Sequence, residues 1–241
     1  MCGRYAISKL PEELIEEFEI TAGHTGKVLP ADWNISPTKE IYIIRNNANK
    51  QRELANLSWG LIAPWSKTTE EAVKSQSSAI NARTETVESK PTFKNAFKHH
   101  RCLIPATGYY EWATELGKYP SKQPFYIYNK DNKTLAFAGI YSTWRNEKGE
   151  SKESAALITR PAVDFLEKIH HRMPTFLPTD RWDAWLDHDL NDLEELKALL
   201  DFDNEAIGLM ANPVSTKVNA TRNNGPELIT PIELGDPQTL F

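Results

Sequence analysis

The chain has 241 residues, of which 40% are hydrophobic and 25% charged, a composition that predicts one globular domain with a substantial core. Its formal net charge of −5 argues mildly against nucleic acid as a general partner, although a local basic patch suffices for a small phosphate footprint. No apolar run approaches the roughly 20 residues of a membrane span, and no signal peptide is evident. We therefore expect a cytoplasmic protein.

In chain order, the first predicted element is a short amphipathic helix from Leu10 to Ile20, entered through Pro11. β-Like runs then follow at Ile41–Ile44, Leu54–Ile62, Arg101–Pro105, Phe125–Tyr128, Thr134–Trp144 and Ala155–Thr159. Further helices are predicted at Pro91–His100, Pro161–Ile169, Arg181–Asp187 and Leu190–Leu200. This mixture predicts an α+β fold.

Two polar stretches, Thr21–Pro37 and Ser66–Ser78, are predicted to be long loops, either functional or ordinary surface insertions. No repeat or linker divides the chain. We expect one domain over residues 1–230 and a C-terminal tail over residues 231–241, which lacks periodicity and is a candidate for disorder.

Cys2 and Cys102 are the only cysteines, and neither has a Cys or His neighbour at metal-ligand spacing. The sequence therefore predicts no disulfide framework, no metal site and no cofactor. Cys102 is interpreted as a small buried hydrophobe.

Cys2 directly follows Met1, and a small second residue normally permits removal of the initiator. The mature residue would carry both a free α-amine, with a pKa of about 7.7–8.0, and a thiol, with a pKa of roughly 8.5. These two nucleophiles suit an aldehyde, because the amine forms a Schiff base and the thiolate then closes a thiazolidine ring. Position alone favours an incidental cysteine, so the hypothesis depends on other residues.

Three other segments carry side chains that suit such chemistry. In Ile80–Glu85, the side chains of Asn81, Arg83 and Glu85 would share one side of an extended strand, or form a solvated strand face. Glu111 stands between Tyr110 and Trp112, and partial desolvation there would make it a better acid and base near neutrality; the alternative is a surface carboxylate.

The third segment, IHHRMP, offers a proton shuttle at His170 or His171 and a phosphate clamp at Arg172, or else forms a solvated helix end. Trp33, Trp59 and Trp65 could stack on unpaired bases, although core packing is the ordinary role of each tryptophan.

Seven motifs in order resemble the SRAP family, named for SOS-response-associated peptidase, over nearly the full chain. They read MCGRYA, WNISP, WGLIAPW, INARTET, RCLIPATGYYEW, IHHRMP and VNATRNNGPELITP. The resemblance implies a single α+β domain with a β-barrel-like core and peripheral helices. It also implies recognition of abasic sites in single-stranded DNA and a covalent DNA–protein crosslink through the mature N-terminal cysteine, in the context of DNA damage and the SOS response. If the source is bacterial, the resemblance implies association with the nucleoid.

The resemblance further implies the catalytic residues. Cys2 would be the nucleophile, Asn81 would orient its amine, Glu111 would act as acid and base, and His170 would assist sugar-ring opening and reversal. His170 is preferred to His171 because the family pattern is His-x-Arg before Met-Pro. Relatives often carry Asp at the position of His171. The residues implied to contact DNA are Arg4, Asn34, Pro37, Trp65, Arg83, Lys90, Thr159 and Arg172.

Other interpretations stay open at this point. A lyase side activity and autoproteolytic removal of Met1 are compatible with the same residues, and the family name records a peptidase. A non-catalytic single-strand-binding module would not need the Cys2 thiol. We expect a monomer. Residues Gln238–Phe241 loosely resemble a peptide that binds sliding clamps, but the spacing is imperfect and an inert tail is the alternative.

Overall fold

Thirteen strands and five α-helices form the parts of the chain that the computed structural model describes, residues 2–113, 122–201 and 207–233. The strands are β1 (Tyr5–Ile7), β2 (His24–Thr25), β3 (Asp32–Ile35), β4 (Glu40–Asn46), β5 (Arg52–Trp59), β6 (Asn81–Arg83), β7 (Arg101–Ala106), β8 (Gly108–Ala113), β9 (Gln123–Asn129), β10 (Leu135–Arg145), β11 (Ser151–Pro161), β12 (Arg172–Pro174) and β13 (Leu209–Pro213). The helices are α1 (Pro11–Glu17), α2 (Thr69–Ser78), α3 (Pro91–His99), α4 (Trp182–Leu186) and α5 (Leu193–Leu200).

Five strands close into a mixed barrel in the order β11, β10, β7, β4 and β5. Four of the pairings are antiparallel, and a parallel pairing of β5 with β11, at Ser58 with Ser154 and Trp59 with Ala155, closes the ring. All six residues of β7 are buried, as expected for a strand covered on both faces. The expected α+β domain with a barrel-like core is confirmed.

A second sheet, in the order β13, β9, β8, β1 and β3, packs against the barrel. Strand β1 of this sheet contributes the buried ring of Tyr5. The Tyr5 centroid lies 5.3 Å from that of Trp59 and 6.0 Å from that of Phe137, and both contacts are edge to face. This contact locks the start of the chain onto the barrel and thereby fixes the position of Cys2.

Several expected elements differ from the structure. The polar stretch Thr21–Pro37, expected as a long loop, contains β2 and β3, which form by pairing with β5 and β1 rather than from a hydrophobic alternation of their own. Pro161 ends β11, where it pairs with Arg172 of β12, and only the 3₁₀ turn Asp164–Lys168 follows, because strand pairing overrides the signal of a proline at a helix start. The polar stretch 66–78 contains α2, whose N-terminus is capped by Thr68, which accepts a hydrogen bond from the Glu71 amide at 3.2 Å. Its buried stripe is short and includes a glutamine, so hydrophobic periodicity did not reveal it.

The last described residues pair with the end of β13 and with the residue that follows it. Pro231 forms a bridge with Val214, and the amide of Ile232 donates to the Pro213 carbonyl at 2.9 Å. Residues 238–241, the candidate clamp peptide, lie outside the described residues. Among the residues described, no helix has the length and apolar character to cross a membrane.

Arg101 is a structural residue whose loss we expect to destabilise the whole fold. Its guanidinium is buried and donates to five carbonyls at the ends of α3 and α4 and just beyond, those of Phe97, Lys98, Trp185, Asp187 and Leu190. Arg101→Met would leave these acceptors without donors, so the free energy of unfolding should fall by about 3 kcal/mol or more.

Urea denaturation measures this loss, and Lys94→Met, at an exposed position of α3, is the matched control. Equal midpoints for the two variants would show that the capping of these helix ends by Arg101 is dispensable.

Candidate active site

The start of the chain lies alongside Glu111 because β1 pairs antiparallel with β8. Tyr5 faces Tyr109, and the Arg4 carbonyl accepts from the Tyr110 amide at 2.9 Å. The same register, continued by two residues towards the N-terminus, places the segment that holds Cys2 beside Glu111. Cys2 is only 2% exposed, so its thiol lies inside the protein rather than on a flexible terminus.

The Cys2 thiol donates a hydrogen bond to the Glu111 carboxylate. Burial raises the pKa of the thiol well above its usual range, and the negative charge of Glu111 raises it further. Burial also raises the pKa of Glu111 to about 7. Near neutrality the carboxyl group of Glu111 is therefore present in both its protonated and its ionised form. It can both give a proton and accept one.

Asn81 joins this pair from β6, which runs parallel to β11 and pairs with it at Leu157. Its amide Nδ2 donates to the Cys2 carbonyl at 2.9 Å, which fixes the backbone of the cysteine. The Oδ1 atom of Asn81 is buried and has no hydrogen-bond partner among the described residues. A buried acceptor of this kind is available to a donor on a substrate or on a processed N-terminus.

His170 faces Glu111 from the turn before β12, with its Nδ1 atom 3.7 Å from Glu111 Oε2. The same Nδ1 lies 3.1 Å from both the amide nitrogen and the carbonyl oxygen of Arg172. A deprotonated Nδ1 can accept from the amide, and a protonated one can donate to the carbonyl. Burial lowers the pKa of His170, so the imidazole is predominantly neutral at pH 7 and suited to relay a proton.

Arg172 is only 8% exposed and is engaged by neighbouring side chains. Both of its Nη atoms donate to the carboxylate of Glu85, and Nη2 also donates to the Thr159 carbonyl at 2.6 Å. The expected one-sided strand over residues 80–85 was wrong, because β6 ends at Arg83 and Glu85 reaches Arg172 from the following turn. Sequence reasoning noted the Glu85 carboxylate without assigning it a partner, since the ion pair joins residues 87 positions apart.

Half-buried Arg4 and buried Asn34 form a second polar group, where β3 pairs with β1. Arg4 Nη1 donates to Asn34 Oδ1 at 2.7 Å and to the Val218 carbonyl at 2.8 Å. Asn34 is 0% exposed, and its amide donates to the carbonyls of Ala220 and Asn223 at 3.0 and 2.8 Å. These two residues therefore attach the segment after β13 to the second sheet.

The other residues expected to contact DNA lie nearer the surface. Trp65 is 56% exposed, Arg83 and Lys90 are exposed, and Pro37 is half-buried, whereas Thr159 is buried beneath Arg172. The loop that carries Trp65 is held by the Trp144 indole, whose Nε1 donates to the Ser66 carbonyl at 2.7 Å. The structure thus presents a large aromatic surface to solvent on a fixed support.

Within the ranges that the structure describes, no three His, Cys, Asp or Glu side chains are grouped as metal ligands. The groups that the described residues bring together at this site are a thiol, a carboxylate, an amide and an imidazole. Four segments remote in sequence contribute these groups: the N-terminus, β6, β8 and the turn before β12.

Known proteins resemble this chain over nearly its whole length. "Abasic site processing protein YoqW" from Bacillus subtilis is 35% identical over 229 residues, covering 95% of this chain and 99% of that protein. "Abasic site processing protein HMCES" from Gallus gallus is 34% identical over 212 residues, covering 79% of this chain and 61% of that protein.

A crystal structure of a protein from Bacteroides thetaiotaomicron has the same fold, with a TM-score of 0.83 and 26% sequence identity over 96% of this chain and 100% of that one. A second, from Bordetella bronchiseptica, has a TM-score of 0.73 and 27% identity over 89% and 100% of the two chains. The model of the SOS response associated peptidase (SRAP) family matches residues 1–221. The chain therefore belongs to the SRAP family.

Proposed function

We propose that this protein processes abasic sites in single-stranded DNA, within the response to DNA damage, by capturing them covalently through Cys2 after removal of Met1. The relatives named as abasic site processing proteins support the class of substrate. The observation that carries the proposal is that Cys2 and His170 both lie against the buried carboxylate of Glu111, while Asn81 donates to the Cys2 carbonyl. An aldehyde is the electrophile that suits a residue with both an amine and a thiol.

The proposed reaction condenses the ring-opened deoxyribose aldehyde with Cys2. The free α-amine adds to the aldehyde carbon, and the resulting carbinolamine loses water to give an imine. Sγ then adds to the imine carbon while the thiol proton passes to the nitrogen, which closes the thiazolidine ring. The net change is one water released and one C–N and one C–S bond formed, without any oxidant or reductant.

Glu111 and His170 carry the protons of this sequence. With a pKa near 7, Glu111 can protonate the departing hydroxyl and then accept the thiol proton through its hydrogen bond with Cys2. Asn81 fixes the Cys2 backbone, and its unpartnered Oδ1 can accept from the free amine. His170, beside Glu111, assists opening of the sugar ring and reversal of the adduct.

A general peptidase is the second candidate. It would give no role to the exposed indole of Trp65 or to the exposed cations of Arg83 and Lys90. A single autoproteolytic removal of Met1 is a narrower proposal, because it needs no exogenous peptide. It is tested by expressing the chain without methionine aminopeptidase and measuring its N-terminal mass.

We further propose that the DNA strand crosses the protein over Trp65, Pro37, Arg83 and Lys90. In this proposal the more deeply placed residues, Arg4, Asn34, Thr159 and Arg172, line the same path from beneath. Of these, Arg172 faces the site through the turn that holds His170. A local basic path of this kind is compatible with the overall negative charge of the chain.

Trp65→Ala should weaken binding to single-stranded DNA by about 1 kcal/mol or more, because a stacking surface is lost. Fluorescence anisotropy with an oligonucleotide that lacks an abasic site measures this affinity without the covalent step. Val73→Ala, which truncates another exposed hydrophobic side chain, is the control. Unchanged affinity in Trp65→Ala would remove the indole from the proposed DNA path.

The direct test mixes protein freed of Met1 with single-stranded DNA that carries one abasic site. We expect a DNA–protein band that resists denaturation, and a mass for the adduct equal to the sum of both components less one water. Intact DNA should give no such band. Strand cleavage in the same gel would report the proposed lyase side reaction, and absence of any adduct would exclude covalent capture.

The proposed contact of residues 238–241 with a sliding clamp is tested separately by clamp pull-down before and after deletion of the tail. Loss of pull-down on deletion would support it, and no pull-down from the full chain would end it.

A further inference from the structure

The ion pair between Glu85 and Arg172 lies at the edge of the site and differs from an ordinary surface pair. Arg172 is nearly buried, and Glu85 contacts both of its Nη atoms, one of them at 3.1 Å from Oε2. Thr159 holds the same guanidinium through its carbonyl at 2.6 Å and its hydroxyl at 3.3 Å. Such two-point pairing fixes the orientation of the guanidinium as well as its position.

Arg172 contacts His170 through its backbone. Its amide and carbonyl are the two groups that lie 3.1 Å from His170 Nδ1. The residue opens β12, which is anchored to β11 by the pairing of Arg172 with Pro161. The position of the Arg172 backbone therefore determines where the imidazole of His170 stands relative to Glu111.

We propose that Glu85 is a positioning residue of the site: its carboxylate holds Arg172 and, through the Arg172 backbone, sets the imidazole of His170 against Glu111. This inference rests on the proposed function for its catalytic readout. Arg172 lowers the pKa of Glu85 to about 2 through their hydrogen bonds, so the pair stays charged throughout the physiological range. Removal of the carboxylate would leave a nearly buried guanidinium without its counter-charge, an arrangement that local structure must relax to accommodate.

A different role would have Glu85 occupy the place of a DNA phosphate on Arg172 and compete with it. The two roles give opposite results. A positioning carboxylate makes Glu85→Gln slower in chemistry with little change in affinity, whereas a competing carboxylate makes Glu85→Gln bind DNA more tightly and with a steeper salt dependence.

The test compares Glu85→Gln with Glu88→Gln, which removes one carboxylate from the same turn, where Glu88 faces Lys197 at 3.3 Å and not Arg172. At saturating abasic DNA, we expect the rate of adduct formation to fall by about tenfold or more in Glu85→Gln and to stay at the wild-type value in Glu88→Gln. The pH dependence of the rate should also change only in Glu85→Gln.

A second measurement needs no DNA. Imidazole proton signals, with that of His170 assigned from a His170→Gln spectrum, should give a lower pKa for His170 in Glu85→Gln than in wild type. The reason is that the unneutralised guanidinium and the loosened backbone contacts both disfavour the imidazolium.

An unchanged His170 pKa together with a wild-type rate in Glu85→Gln would overturn the inference, as would tighter DNA binding with a steeper salt slope. If wild type itself forms no adduct, the proposed function fails, while the pKa of His170 still decides whether Glu85 positions the ring.

Discussion

Cys2→Ala will abolish the denaturation-resistant adduct with abasic DNA, the largest effect expected of any single substitution. The variant keeps a free α-amine after removal of Met1 but has no sulfur to close the ring. An imine alone hydrolyses readily, so it should survive denaturing electrophoresis only after reduction with borohydride. The measurement is the yield of the DNA–protein band with and without that reductant.

Cys2→Ser separates the two nucleophiles more finely, because its hydroxyl is a much weaker nucleophile than a thiol. We expect a band that depends on borohydride for this variant and a band independent of borohydride for wild type. Cys102→Ala is the matched control. Cys102 is fully buried beside Gly139 in the barrel, so its truncation should lower stability by about 1 kcal/mol and leave the adduct intact.

An undiminished band in Cys2→Ala, formed without reductant, would contradict covalent capture through this residue. It would instead favour another nucleophile in the protein. Loss of the band in Cys102→Ala, in protein shown to be folded, would point to that thiol instead.

Glu111→Gln should slow adduct formation by about 100-fold or more, because an amide of similar shape cannot give or accept the proton. Since the proposed acid and base is a carboxyl group with a pKa of about 7, the wild-type rate should change over the pH range near neutrality, and this dependence should be lost in the variant. Single-turnover rates measured from about pH 5.5 to about pH 8.5, a range that brackets the Glu111 pKa of about 7, report both effects.

The same substitution should stabilise the protein at alkaline pH. Because burial raises the pKa of Glu111 from an ordinary 4.5 to about 7, its favourable contribution is complete below pH 4.5 and is lost as the pH rises to about 7. Above that pH, the folded wild type must hold an ionised carboxylate in a buried position. In the unfolded chain the same group is in water and ionises at its ordinary pKa. Glu111→Gln should therefore raise the free energy of unfolding by about 3 kcal/mol at pH 8 and by little at pH 4.5.

Denaturant unfolding at both pH values measures this difference, with Glu147→Gln, at an exposed hairpin position, as the control for loss of a surface charge. Equal stability of wild type and Glu111→Gln at pH 8 would show that ionisation of the buried Glu111 does not destabilise the folded protein. A gain in stability with a loss of rate is the expected pattern for a site that keeps a carboxylic acid in an apolar setting.

The sequence by itself determined the α+β class, most of the strands, the two helices that begin at Pro11 and Pro91, and the family, because alternation, proline punctuation and ordered motifs are local properties. It also identified Cys2, Asn81, Glu111 and His170 as candidates, on the strength of the family motifs. The helix expected at Pro161 was wrong because β12, a partner further along the chain, extends β11 through that proline. The helix at Thr69–Ser78 was missed because its buried face is too short to give a periodic signal.

Only the tertiary structure decided which of these residues touch. The parallel pairing of β6 with β11 and the antiparallel pairing of β1 with β8 bring Asn81 and Glu111 to Cys2, and no local pattern records such pairings. Burial, which gives Glu111 a pKa of about 7, is likewise a property of packed elements rather than of neighbouring residues. The same holds for Asn34, which is buried where β3 pairs with β1, and for Glu85, whose partner Arg172 lies far along the chain and close in space.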